Sequence, residues 1–198
     1  ADVTISEEMM AAVGETLATF NRLDVLVANA GLGYRGTLVE AEWSDLETVL
    51  RTNIDGVIHS IRACIPAMRA SGGGKIITVS SIVEAVPAPG AAIYGASKAA
   101  VGSLAQALRM ELRADNIGVT NMLVGQTHTE FAEKRRGVSG KVAGKFPTMT
   151  PEKVAAQIVW AMERHKRSVI MRPLDRLIVL GGRFLPWVMD RVMYRVYR

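Results

Sequence analysis

A serine pair, a tyrosine and a lysine carry most of the chemistry open to this chain. In the stretch SSIVEAVPAPGAAIYGASK, Ser81 stands thirteen residues before Tyr94, and Lys98 follows four residues later. On a helix, Tyr94 and Lys98 share one face. A phenol with an ordinary pKa near 10 is a poor base at neutral pH. A neighbouring ammonium favours the phenolate and lowers that value. Such a pair can act as an acid–base catalyst, with Ser81 donating a hydrogen bond to a carbonyl oxygen. On spacing alone, a tyrosine and a lysine one turn apart fit an ordinary helix surface at least as well.

The elements that must position these residues are readable from periodicity. Leu23–Gly31, Gly74–Ser81, Ile117–Gly125 and Ser168–Pro173 are short apolar runs without strict alternation, as expected of strands buried on both faces of a parallel sheet. Between them lie helical patterns at Ser6–Phe20, Ser44–Ala70, Ala91–Ala114 and about Pro151–His165. Ser6 is the expected N-cap of the first. Thr150 is the expected cap of the fourth, with Pro151 in its first turn. Strands alternating with helices predict an α/β fold, a Rossmann-like doubly wound parallel sheet in three α/β/α layers. The irregular stretch Phe131–Thr150 follows a strand end, where α/β proteins bind ligands, and reads as a lid or as a solvated surface loop.

A chain of 198 residues with 49% hydrophobic content can form one domain with a sizeable core, and is not disordered. Its one cysteine, Cys64, allows neither a disulfide framework nor a zinc site, and predicts a reducing, cytoplasmic setting. No run of about 18 uncharged apolar residues occurs. His59, His128 and His165 lack metal-ligand spacing, so no metal site is expected. The net charge of +5 is local: residues 164–198 hold nine Lys/Arg against two acids, and the remainder is slightly acidic. No recognition motif accompanies this basicity, which argues against nucleic acid. The tail from Leu174 to Arg198 mixes Leu, Val, Trp and Tyr with Arg. It reads either as a cover for a substrate pocket or subunit contact, or as a basic amphipathic helix pair, broken at Gly181–Gly182 and Pro186, lying on an anionic membrane.

Ser81-x(12)-Tyr94-x(3)-Lys98, Asn29-Ala30-Gly31 after an earlier strand, Thr52-Asn53-Ile54-Asp55-Gly56 in the intervening helix and Asp2-Val3 near the start occur in one order. Together they resemble the short-chain dehydrogenase/reductase family over residues 2–173. Alone, Asn29–Gly31 would pass for a tight strand-to-helix turn and Asn53 for a helix-kink residue. The resemblance implies NAD- or NADP-dependent hydride transfer between an alcohol and a ketone or aldehyde. Tyr94 would exchange a proton with the substrate oxygen, and Lys98 would bind the nicotinamide ribose and depress the tyrosine pKa. Ser81 would orient the substrate, and Asn53 would hold a water in the proton relay. Asn29, Ala30 and Gly31 would line the cofactor near the adenosine ribose, Asp2 and Val3 would contact adenine, and Gly125, Thr127 and Thr129 would meet the nicotinamide carboxamide. The family also implies a homodimer or homotetramer, built on the helices at Ser44–Ala70 and Ala91–Ala114.

Two departures stand out. Val124 occupies the place of a proline usual in the family, which removes a fixed φ. More consequentially, no glycine-rich phosphate-binding turn is present: Gly14 is isolated, and Gly31–Gly36 follows the wrong strand. The expectation is a dehydrogenase domain over residues 1–173 that lacks its first βα units, roughly 60 residues, with residues 174–198 as a basic amphipathic extension. The rival expectation is a non-catalytic scaffold or fragment acting through its dimer face or basic tail. A membrane-associated tail would make a lipophilic substrate the natural one.

Overall fold

The computed structural model describes residues 1–128, 130–138 and 147–197. In chain order the elements are α1 (Ser6–Phe20), β1 (Val25–Ala28), β2 (Tyr34–Arg35), α2 (Trp43–Leu50), α3 (Gly56–Ala70), β3 (Gly74–Ser81), α4 (Ala92–Glu111), β4 (Ile117–Val124), β5 (Arg136–Gly137), α5 (Pro151–Glu163), β6 (Ser168–Ile170), α6 (Pro173–Phe184) and α7 (Pro186–Val196). Strands β1, β3, β4 and β6 form one parallel sheet in the order β1-β3-β4-β6. The two-residue strands β2 and β5 pair in parallel beside it.

Two neighbouring isoleucines show why the sheet must be covered twice. Ile76 and Ile77 on β3 are both fully buried, yet successive strand residues face opposite sides. Ile76 joins Val57, Ile61, Met68, Val101 and Ala105 in the layer made by α3 and α4. Ile77 joins Met122, Ala161 and Val169 in the layer under α5. Strand β4 repeats the alternation, with Ile117 and Val119 on the first side and Met122 on the second. The expected α/β/α sandwich is the observed one.

Three local expectations need correction. Ser6 does not cap α1: it is the first helical residue, Ile5 holds the cap position, and no side chain caps it. The single helix expected over Ser44–Ala70 is divided, with a wide π-helical turn over Arg51–Asp55 between α2 and α3. Such turns insert one extra residue and re-aim side chains, often at functional sites. The Gly181–Gly182 pair does not break the tail, because α6 runs straight through it. A side chain at Gly182 would come within 2.3 Å of Val86 Cγ2, and one at Gly181 within 2.8 Å of Met189 Sδ. Gly182 is the position where close approach leaves no room for a side chain, since a Cβ there would also stand 2.6 Å from the Ala85 carbonyl oxygen. Thr150 caps α5 as expected, accepting from Lys153 N at 3.4 Å. The stretch expected to form a lid lies partly outside the described residues. Its described parts form a short 3₁₀ turn at Glu130–Ala132, the β5 pairing and a bridge between Thr127 and Met149.

Met68 is completely buried between α3 and the sheet. Met68→Ala should cost about 2–5 kcal/mol, the range for emptying a packed core site. Urea unfolding of the two proteins reads this as a lowered midpoint at unchanged slope.

Candidate functional site

The site gathers where β3, β4 and the loop after β1 end. Tyr94 lies in the first turn of α4 and Lys98 one turn further, so the helix fixes their common face. Lys98 is only 4% exposed, and its ammonium donates to the Val79 carbonyl at 2.9 Å. The same ammonium stands 5.9 Å from the centre of the Tyr94 ring. Removal from water pushes the Lys98 pKa down to about 8, and the Glu84 carboxylate opposes that fall. Burial pushes the Tyr94 phenol up to about 12, partly offset by the Ser81 hydroxyl.

The expected depression of the Tyr94 pKa by Lys98 is therefore not the outcome in this structure. Loss of water around the phenol outweighs its neighbours, and the lysine that was to lower it is itself pushed towards neutrality. At neutral pH, Tyr94 keeps its proton.

Asn53 sits in the π-helical turn with no exposed surface. Its Oδ1 accepts from Leu32 N at 2.7 Å, while its Nδ2 donates to Leu32 O and to Ser97 Oγ, both at 2.9 Å. One amide thus ties the loop after β1 to α4, and both of its donors are spent. Gly31 lies against this pair: a methyl there would stand 3.1 Å from Asn53 Oδ1 and 3.2 Å from Lys98 Nζ. Ser81 ends β3, is 8% exposed, and accepts from Val83 N at 3.4 Å at the start of the next turn.

Beneath these residues runs a polar chain that the sequence did not disclose. Ser80 donates to Glu84 Oε2 at 2.5 Å and also contacts the Lys98 carbonyl at 3.1 Å. Asn121 Nδ2 donates to the same carboxylate oxygen at 3.1 Å, and Thr78 donates to Asn121 Oδ1 at 3.0 Å. Burial raises the Glu84 pKa against the pull of Ser80, Asn121 and Lys98. No spacing in the sequence pairs Glu84 with Asn121. The nearest signal was an acidic residue in an otherwise apolar stretch.

A cavity of about 840 Å³ opens over this floor. Asn29, Ala30, Gly31, Ser81, Tyr94, Lys98, Gly125 and Thr127 all line it, so the structure brings most of the expected site residues together. Asp2 and Val3 are not among its lining residues. Asp2 Oδ1 accepts from Thr4 N at 2.8 Å, and the Val3 carbonyl meets His59 Nδ1 at 3.1 Å. Thr129 lies outside the described residues. Val86, Phe131, Val154, Ile158, Ile178 and Met193 make the far wall largely apolar. Phe131 packs on Tyr94 with ring centres 5.8 Å apart.

Gly125 borders a buried ion pair, also unforeseen. Arg172 Nε and Nη2 donate to Asp175 Oδ2 and Oδ1, both at 2.7 Å, and Asp175 is fully buried. A methyl at Gly125 would lie 2.5 Å from Arg172 Nη2, so a side chain there would displace this pair. The i,i+3 spacing was visible in the sequence, but not its burial.

The family model described as short chain dehydrogenase matches residues 1–138. Dehydrogenase/reductase SDR family member 7B of Bos taurus is 30% identical over 188 residues, spanning 92% of this chain and 58% of that protein. The 3-ketodihydrosphingosine reductase of Bacteroides thetaiotaomicron is 36% identical over 134 residues, 68% of this chain and 50% of that one. The chain thus spans only half to three fifths of these relatives' length. A short chain dehydrogenase of Burkholderia cenocepacia, solved in complex with NADP, superposes with a TM-score of 0.81 at 26% identity. That match covers 98% of this chain and 76% of the other.

Lys98 makes a signed prediction. Between about pH 8 and 10.5 the unfolded chain holds a proton that folded Lys98 has released. Stability therefore rises with pH across that window by up to about 3 kcal/mol, at 1.36 kcal/mol per unit. Lys98→Met lacks this rise. Urea midpoints of both proteins at pH 7.5 and 10 should show wild type gaining on the variant. A gap independent of pH would mean that Lys98 does not titrate there.

Proposed function

Because this chain belongs to the short-chain dehydrogenase/reductase family, we propose that it interconverts an alcohol and a ketone or aldehyde with NAD or NADP. The observation that carries the reading is the convergence of Ser81, Tyr94 and Lys98 on one cavity, beside a shelf of Asn29, Ala30 and Gly31. That shelf fits a nicotinamide cofactor. Asn29 and Ala30 are exposed, and the missing side chain at Gly31 lets a flat group approach Lys98 closely. When bound, the nicotinamide supplies or accepts the hydride.

Each residue has a role that follows from its surroundings. The Tyr94 phenol, whose pKa burial raises, carries its proton at neutral pH and would exchange it with the substrate oxygen. Ser81 donates a hydrogen bond to that same oxygen as charge develops on it. Lys98, with a pKa near 8 and its ammonium on the Val79 carbonyl, places positive charge beside the shelf. Asn53 holds the loop carrying Gly31 against α4. Gly125 and Thr127 also line the cavity and would meet the carboxamide of a bound nicotinamide. The apolar wall favours a lipophilic substrate, and the relative named as a 3-ketodihydrosphingosine reductase supports that choice.

Tyr94→Phe should lower carbonyl-dependent oxidation of NADH or NADPH by 10²–10⁴-fold, the usual worth of a positioned acid. Its circular dichroism and unfolding midpoint should stay close to wild type, because the ring and its packing on Phe131 remain. Ser81→Ala should cost about 10²-fold. Unchanged turnover in Tyr94→Phe would overturn the assignment.

A further inference from the structure

Helix α6 is apolar on two opposite faces, and only one of them is covered. Its inner face gives Ile178 to the cavity, buries Val179 and sets Gly182 against Val86. Its outer face carries Leu174, Leu177, Leu180 and Phe184 at successive three- and four-residue steps, with exposures of 41, 67, 50 and 70%. Leu185 and Trp187, 49 and 60% exposed, continue this surface into the first turn of α7. Scattered exposed leucines need no explanation, but a contiguous stripe of this kind marks a surface that something covers.

Charge identifies what covers it. Arg176, Arg183, Arg191 and Arg195 are exposed on the same two helices. Of the two acids there, Asp175 is buried in its pair with Arg172 and only Asp190 is exposed. Arg191 lies 6.0 Å from the ring of Trp187, placing guanidinium and indole together as they sit at lipid headgroups. A second copy of this chain docked through the same face would bring one net-basic patch against another. No helix among the described residues is long and apolar enough to cross a membrane, so the fitting geometry is one that lies on the surface.

We infer that the outer face of α6, with the start of α7, seats the protein on an anionic lipid surface, and that the covered inner face puts the substrate cavity directly behind that contact. Ile178 on α6 and Met193 on α7 line the cavity from this helix pair, and Tyr197, just past α7, lines it as well. A lipophilic carbonyl could then pass from bilayer to cavity without crossing bulk water. This delivery role rests on the oxidoreductase reading above; the docking itself does not.

The test is flotation of the purified protein with vesicles of phosphatidylcholine alone and of phosphatidylcholine mixed with phosphatidylglycerol. Binding should be at least tenfold tighter to the mixed vesicles and should weaken as salt rises. Leu177→Glu/Phe184→Glu should abolish binding to both. These side chains point away from the cavity, so the variant should keep its unfolding midpoint and its turnover of a water-soluble carbonyl. Arg183→Gln/Arg191→Gln should lose the preference for phosphatidylglycerol while keeping its fold. Absence of flotation with either vesicle, or binding unmoved by the glutamates, overturns the proposal. A dimer dissolved by the two glutamates, without flotation of wild type, assigns the face to self-association instead and overturns it equally. Turnover of the water-soluble carbonyl reports the catalytic reading separately, so either can fail alone.

Discussion

The structure depends on holding one lysine ammonium almost entirely out of water. Lys98 is 4% exposed, and a buried cation is tolerated only when it is hydrogen-bonded and faces compensating charge. The hydrogen bond comes from a strand end, the Val79 carbonyl, and the charge from Glu84. Neither reaches Lys98 unless backbones come close. Gly31 leaves room for the ammonium itself, and Gly102, one turn beyond Lys98, leaves room for the carboxylate: a methyl there would stand 2.6 Å from Glu84 Oε2. The family's tyrosine-to-lysine spacing is thus the visible part of a larger steric arrangement.

Glu84 raises the same problem one step further down. Its carboxylate is half-buried and must also be satisfied, which Ser80 and Asn121 do, with Thr78 fixing the orientation of Asn121. The chain crosses from β3 to β4, so the register of these two strands is part of the site. A slip of one residue would turn Thr78 and Ser80 to the other face and leave the carboxylate without donors. Polar groups buried in this way specify one arrangement of the core more strongly than apolar packing does. Valine at position 124 fits this account: it is paired with Ser81 as the last rung of that ladder.

What the sequence revealed, and what it withheld, divides by range. The strands and helices followed from local periodicity, and the Ser81–Tyr94–Lys98 set from spacing along a single strand–loop–helix unit. Asn53 was found as a motif member, but its mechanical role depends on a π-helical turn that periodicity cannot distinguish from plain helix. The partnership of Glu84 with Asn121, 37 residues apart in the chain, depends on the pairing of β3 with β4, which no local pattern encodes. The sign of the Tyr94 shift was misjudged for a related reason. Spacing shows the neighbouring charge but not the depth of burial, and here depth decides. Gly181–Gly182 was read as a helix break because glycine lowers helix propensity. Against that propensity stands the packing at Gly182, where an added side chain would collide with Val86 and the Ala85 carbonyl.

The same logic of close approach links the site to its roof. Gly125 ends the β4 side of the cavity and admits the Arg172–Asp175 pair, which anchors the first turn of α6. Asp175 also lies in that first turn, where a carboxylate is favoured by the helix dipole. Arg172 reaches back to the Pro147 carbonyl, so one guanidinium holds the start of α6 and the segment entering α5 together. A buried pair of this kind contributes little net stability, but losing either partner leaves an uncompensated charge. Its effect is to fix where α6 begins, and with it which face of the helix meets the cavity. Once that rotation is set, Ile178 must point inward and Leu177 outward. The apolar outer stripe is therefore a consequence of the same ion pair that borders the site.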